Sequence, residues 1–222
     1  MISHLALIMD GNRRWAKKRA LLPWIGHKQG VESVQMVVQY CLDYHIPYLS
    51  LYTFSLENFK RTEKEISYLF SLLDEAKDRI NEFVDAQVKI RFVGDLSKLS
   101  IATKAICEEI EQATKFGKKL ECNFLMCYGG QQEIVAAIQK IVIENQQISN
   151  VDDFRSYLWL GNVPDPEIII RTGGVKRLSN FLLFQAAYAE IRFLDCLWPD
   201  LTKEMLHKTI LDCLNSQKNF GK

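Results

Sequence analysis

The chain has 222 residues, 48% hydrophobic and 25% charged, which suits one sizeable core and argues against disorder. Its 28 basic and 27 acidic residues leave a net charge of +1, too little for a general nucleic-acid binder. The amino terminus carries no basic-then-apolar signal and no run approaches the ~18 apolar residues that cross a bilayer, so a cytoplasmic protein with at most a peripheral membrane contact is expected.

Strands and helices alternate along the chain. The apolar run 5–9 reads as a buried strand, and it stops at Asp10, Gly11 and Asn12, with Arg13 and Arg14 opening a helical pattern. Gly26 and His27 fall in a loop ahead of a helix over 30–44, which places Val31, Val34, Val37, Val38 and Leu42 on or near one stripe. A second strand over 48–54 leads into Ser55-Leu56-Glu57-Asn58-Phe59-Lys60-Arg61. One long helix is expected over 63–84, with Ile66, Leu69, Phe70, Leu73, Ile80, Phe83 and Val84 at helical spacing. Strands at 88–93, 120–127, 167–171 and 190–194 alternate with helices at 101–115, 131–146 and 202–214. The fold class is therefore α/β: one domain spanning 1–222, a mainly parallel six-stranded sheet and helices on both faces. The six cysteines (41, 107, 122, 127, 196 and 213) form no CxxC pair and read as reduced core thiols. Cys122 and Cys127, at odd spacing on one strand, are expected to face opposite ways.

The unusual residues follow strands. Asp10 follows the first, Ser55 to Asn58 the second, and Arg171-Thr172-Gly173-Gly174 the fifth. Open α/β sheets bind ligands at the carboxyl ends of their strands, so the three segments should meet at one edge. Asp10 alone could be a helix N-cap. Beside Gly11, Asn12 and Arg14 it reads better as part of a diphosphate site, since arginine binds phosphate oxygens in pairs and a carboxylate can hold Mg²⁺ between them. Lys17, Lys18 and Arg19 read as a solvated helix face. Arg171 at the end of an apolar strand needs an anion, either a ligand at a second site with Arg177 and Ser179 or an internal partner such as Glu190 or Asp195. Glu190 could be a strand-edge charge, His27 a structural hydrogen-bonder, and Ser55 or Asn58 a helix cap. The stripe of 63–84 is either core or the wall of a lipid tunnel. The chain has no GxGxxG or GxxxxGK[ST] nucleotide motif and no His/Cys cluster for zinc.

The stretches His4–Ala16, Gly26-His27-Lys28, Leu51–Arg61, Asn123–Gly130, Ile168–Gln185 and Ala187–Pro199 together resemble the cis-prenyltransferases of the undecaprenyl diphosphate synthase family. The matches are colinear and cover almost the whole chain, and the DDxxD motif of the all-helical trans-prenyltransferases is absent. The resemblance implies repeated condensation of isopentenyl diphosphate onto farnesyl diphosphate with new cis double bonds. It also implies Mg²⁺, a homodimer, a hydrophobic tunnel and transient peripheral membrane contact for product release, with no nucleic acid. Carried over by position, Asp10 and Glu190 would be the Mg²⁺ ligands. Gly11, Asn12, Arg13, Arg14 and His27 would surround the allylic diphosphate. Arg171, Arg177 and Ser179 would hold isopentenyl diphosphate, and Ser55, Glu57, Asn58 and Arg61 would lie at the reacting ends, with Asn58 where the family removes a proton. Trp15 and Phe59 fall at substrate-contact positions. The chain departs from the pattern at Pro23, where many relatives have an arginine, at Val175, where glutamate is frequent, and at Arg13, where glycine is common; Phe59 replaces a commoner tryptophan. Arg13 could supply the cation that Pro23 lacks. The competing readings are a cis-prenyltransferase of other product length and a non-catalytic partner subunit, which would lack the motif residues retained here.

Overall fold

The computed structural model describes residues 2–215, so residues 1 and 216–222 of the expected domain lie outside the described region. Six strands form one fully parallel sheet: β1 (His4–Ile8), β2 (Tyr48–Ser55), β3 (Val88–Val93), β4 (Leu120–Tyr128), β5 (Ile168–Arg171) and β6 (Glu190–Phe193). The spatial order is β3-β4-β2-β1-β5-β6. The chain winds outward from β1 to one side through β4, then crosses back to place β5 on the other side of β1. The crevice between the carboxyl ends of β1 and β5 is thus the topological switch point, where open α/β sheets bind ligands. The central strands are buried on both faces, and β1 (HLALI) and β5 (IIIR) have no exposed position.

The helices are α1 (Asn12–Lys18), α2 (Pro23–Asp43), α3 (Glu63–Asp78), α4 (Ile80–Asp85), α5 (Ile101–Thr114), α6 (Gly130–Ile143), α7 (Val151–Arg155) and α8 (Lys203–Leu214). One sheet face carries the larger core, where Leu5, Leu7, Leu49, Leu51 and Ile170 meet Val37 and Cys41 of α2, Leu73 of α3, Ile110 of α5 and Leu206 of α8. The other face is covered by α6, the connection that follows it and the connection between β5 and β6. Ala6, Ile8, Tyr52, Leu125 and Ile169 pack there on Leu160, Val163, Phe181 and Leu182. Buried Glu133 of α6 ties that cover together: Tyr128 Oη donates to it at 2.5 Å, Gln185 Nε2 at 3.0 Å and the Leu160 amide at 3.2 Å.

Four expectations need correction. The helix over 63–84 is two helices, because the backbone at Arg79 (φ −104°, ψ 15°) leaves helical geometry between α3 and α4. His27 lies inside the first turns of α2, which starts seven residues earlier than expected at Pro23, a residue suited to a first helical turn. Cys122 and Cys127 do not face apart, since both belong to the same core cluster. The register of β4 against β2 shifts near Met126, with Cys127 at φ +51°, and that bulge resets the alternation. All six cysteines are free, five of them buried.

Candidate active site

Strand register brings the three polar segments to one edge. Ile8 of β1 pairs with Tyr52 of β2 on one side and with Arg171 of β5 on the other, so the residues just beyond each strand end converge. Asp10 sits at the centre. Its backbone carbonyl accepts from Thr172 Oγ1 at 2.7 Å and from the Trp198 amide at 3.0 Å. Its carboxylate accepts from Arg14 Nη2 at 3.0 Å and from Arg171 Nη2 at 2.9 Å. The internal partner of Arg171 is therefore Asp10, neither Glu190 nor Asp195. Two glycines make this closeness possible. Gly11 holds φ +120° with Leu197 Cα 2.9 Å from where a Cβ would stand, and at Gly173 (φ +90°) a Cβ would lie 2.4 Å from Arg14 Nη2. Arg14 also donates to the Gly173 carbonyl at 2.7 Å.

Around this centre lies a cavity of about 720 Å³ lined by Asp10, Gly11, Asn12, Arg13, Arg14, Lys17, Pro23, His27 and Arg61, among others. Lys17, read from sequence as part of a solvated face, belongs to this lining. Four cationic side chains thus enclose one volume. Arg13 and Pro23 line the same cavity, which is the geometry a compensating arginine would need.

Glu65, which sequence reading did not single out, is the carboxylate that balances the far wall. It is 8% exposed and lies 3.3 Å from Arg61, 3.5 Å from His27 and 3.7 Å from Arg13. Its pattern, Thr62-Glu63-Lys64-Glu65, reads as an ordinary helix cap, and Thr62 Oγ1 does accept from the Glu65 amide at 3.3 Å. The only sequence signal for more was the i,i+4 spacing from Arg61. Burial, then the positive charge of Arg61, pulls His27 down to a pKa of about 4, so its ring is neutral at pH 7 although Glu65 acts the other way. Burial also lowers the pKa of Arg61 from its ordinary value, with Glu65 opposing the shift. Asn12 Oδ1, His27 Nε2 and Glu65 Oε1 are buried and make no hydrogen bond.

A second cluster adjoins the first. Arg171, with a side chain 6% exposed, donates from Nη1 to Ser179 Oγ at 2.7 Å and to the Arg177 carbonyl, and Arg177 Nε reaches Ser179 Oγ at 3.3 Å. Ser179 and Asn180 hold φ of +52° and +65°, a strained turn of the kind found at functional sites. Asn180 Nδ2 reaches Glu57 Oε1 at 3.3 Å, which joins this turn to the segment after β2. There the Ser55 amide donates to Asn58 Oδ1 at 3.1 Å, and Phe59 packs edge-on against Phe54 at 5.0 Å. Asn58 therefore does cap a helical turn.

Two expected residues fall elsewhere. Trp15 lines neither cavity; its Nε1 donates to Asp200 at 2.7 Å and Arg19 stacks on its ring at 4.1 Å. Glu190 opens β6 and pairs with Ile168, which pairs with Leu5, so it lies at the amino edge of the sheet. Asp10 is five residues further along the parallel strands, about 16 Å at ~3.3 Å per residue. One chain therefore does not bring Glu190 to Asp10, and Glu190 instead pairs with Arg192 at 3.0 Å. Among the described residues no group of three or more His, Cys, Asp or Glu is arranged to cage a metal.

Beside the cationic cavity lies an apolar one of about 630 Å³ between α2, α3, α4 and the sheet, lined by Val34, Val38, Phe54, Leu69, Phe70, Leu73, Ala76, Phe83, Phe124 and Met126, among others. Met9 lines both. The two adjoining volumes, one cationic and one apolar, have the chemistry of a site for a ligand with a phosphate head and a hydrocarbon tail.

Comparison with known proteins agrees. The undecaprenyl diphosphate synthase family model matches residues 8–221. An isoprenyl transferase of Aquifex aeolicus is 37% identical over 220 residues, covering 99% of this chain and 95% of that protein. A (2E,6E)-farnesyl-diphosphate-specific ditrans,polycis-undecaprenyl-diphosphate synthase of Micrococcus luteus is 38% identical over 226 residues, covering 98% and 90%. Among solved structures, a probable undecaprenyl diphosphate synthase from Campylobacter jejuni superposes with a TM-score of 0.85 at 34% identity, covering 100% and 99%. Lavandulyl diphosphate synthase from Lavandula x intermedia, in complex with dimethylallyl diphosphate, gives 0.94 at 26% identity, covering 100% and 98%. The chain belongs to the undecaprenyl diphosphate synthase family and is a cis-prenyltransferase.

Proposed function

We propose that this enzyme condenses isopentenyl diphosphate repeatedly onto farnesyl diphosphate, making undecaprenyl diphosphate, the lipid carrier precursor for cell-wall glycan synthesis. The observation that carries the reading is Met9, shared by a cationic cavity and an apolar one of comparable size. An amphiphile with a diphosphate head and a growing hydrocarbon tail matches that pair.

In the reaction the allylic C–O bond breaks, the double bond of isopentenyl diphosphate forms the new C–C bond, and a proton leaves the carbon next to it. Arg13, Arg14, Lys17 and Arg61, with the Gly11–Asn12 backbone and neutral His27, hold the allylic diphosphate. They stabilise the negative charge that grows on it as it leaves. Arg171, Arg177 and Ser179 hold the second diphosphate and aim its double bond. An amide is a poor base, and Asn58 Oδ1 already accepts the Ser55 amide, so Asn58, with Ser55 and Glu57, orients the proton's path toward diphosphate oxygens. Phe59 lies beside the reacting ends, and Trp15, bonded to Asp200 outside the cavities, takes no part in the step.

The donor set suits Mg²⁺, which usually takes one or two carboxylates and completes its shell with phosphate oxygens and water. Asp10 would hold it, and the ion would add positive charge at the leaving group. Glu190 is not a second ligand within the chain. A homodimer and a cytoplasmic location, with transient contact at the inner face of the membrane, complete the proposal; among the described residues no helix is long and apolar enough to cross a membrane.

The test is to incubate the protein with farnesyl diphosphate, labelled isopentenyl diphosphate and Mg²⁺ and to size the products. A long-chain polyprenyl diphosphate is expected. A single-condensation product would show a short-chain prenyltransferase instead, and no product would overturn the reading.

A further inference from the structure

The turn between α1 and α2 and the start of α2 expose an apolar cluster of which the two cavities account only for Leu21. Within five positions Leu21 is 43% exposed, Leu22 55% and Ile25 37%. Trp24 sits among them, with Tyr68 of α3 at 6.4 Å and Lys64 Nζ at 5.0 Å over its ring. Single exposed leucines need no explanation, but a contiguous cluster anchored by a tryptophan does. Within the segment itself the charge has one sign, although Arg13, Arg14 and Arg19 pair with Glu65, Asp10 and Asp200 outside it. Between Gly11 and Val31 the chain carries six basic residues, Arg13, Arg14, Lys17, Lys18, Arg19 and Lys28, and no acid. That is far from the balance of the whole chain, whose net charge is +1.

We propose that this turn docks the enzyme on an anionic lipid bilayer, with Leu22 and Ile25 entering the headgroup boundary, Trp24 at the interface and Lys18 meeting lipid phosphates. Apolar residues flanked by lysines and a tryptophan are the composition of interfacial membrane contacts. The placement fits the chemistry. Leu21 and Pro23 of this turn line the cationic cavity, and α2, which the turn opens, walls the apolar one. The patch therefore borders the cavity in which the diphosphate head of the proposed product would sit. That link to the product rests on the function proposed above; the docking itself does not.

The experiment is co-sedimentation of the full chain with phosphatidylcholine vesicles, with and without phosphatidylglycerol. Wild type is expected to bind the phosphatidylglycerol vesicles, and added salt should weaken binding. Neither Leu22, Ile25 nor Lys18 lines a cavity, so condensation without vesicles should continue in their variants. Leu22→Glu with Ile25→Ser should weaken vesicle binding at least about tenfold. Lys18→Ser should weaken it about fivefold. Wild-type failure to bind, or unchanged binding by both variants, overturns the proposal. So does a change of oligomeric state in the Leu22→Glu/Ile25→Ser variant by sedimentation velocity without loss of vesicle binding, because the patch would then join two copies. If wild type binds vesicles but makes no polyprenyl product, docking stands and the proposed function fails.

Discussion

Glu65→Gln should weaken the empty protein and strengthen its grip on diphosphate. The carboxylate lies 3.3 Å from Arg61 and 3.7 Å from Arg13, and 3.5 Å from a histidine that is neutral at pH 7. At an effective dielectric of ~20, each arginine pair is worth roughly 4–5 kcal/mol of gross attraction. The Arg13 side chain is 59% exposed and that of Arg61 25%, while Glu65 is itself desolvated. Screening and desolvation reduce the net loss to about 1–3 kcal/mol. An entering diphosphate competes with Glu65 for these two arginines. Without the carboxylate they are free, so inorganic diphosphate should bind about tenfold more tightly, or ~1.4 kcal/mol. The assay is urea unfolding of wild type and variant over a series of diphosphate concentrations, without divalent metal. The midpoint of the variant should start lower and rise more steeply with ligand. A variant that is as stable as wild type, or that binds diphosphate more weakly, would refute the reasoning.

Asp10→Asn keeps the shape at the centre and one of the two arginine contacts but removes the charge that would hold Mg²⁺; turnover should fall at least about a hundredfold, while metal-free diphosphate binding by calorimetry is not weakened. Near-normal turnover would remove Asp10 from the metal assignment. Arg177→Ala should raise KM for isopentenyl diphosphate about 10–100-fold, with a smaller effect for farnesyl diphosphate, since a charged hydrogen bond is worth roughly 1.5–3 kcal/mol; equal effects in steady-state kinetics would mean the two sites are misassigned. Stability should also depend on pH through His27. The unfolded ring takes a proton near pH 6.5 and the folded one only near 4, so its contribution is present above pH 6.5 and lost as pH falls toward 4. Unfolding midpoints of wild type and His27→Gln across that window should show the shallower slope in the variant, and parallel slopes would contradict it.

The strands were readable because β1 and β5 are buried on both faces and so appear as plain apolar runs. The convergence of Asp10, Arg171 and the segment after β2 that carries Glu57 and Arg61 follows from their places after strands. What escaped depends on packing between distant segments. The break at Arg79 interrupts an apolar stripe that continues on both sides, so periodicity alone cannot see it. The bulge at Cys127 comes from its register against β2. Glu65 has the local pattern of a helix cap, and only the fold places Arg13 and His27 against it. Glu190 teaches the reverse. Its position before an apolar strand already put it at the amino edge, and it was the family resemblance that assigned it to the metal.

The central claim is that the tail grows from the diphosphate site into the apolar cavity, and a plug tests it most directly. Ala76 of α3 lines that cavity and none of the cationic one. Product length from Ala76→Trp and wild type should be compared with farnesyl diphosphate, labelled isopentenyl diphosphate and Mg²⁺. The account predicts normal first condensation and markedly shorter final products from the variant. Products of unchanged length from a folded, active Ala76→Trp enzyme would show that the tail lies elsewhere.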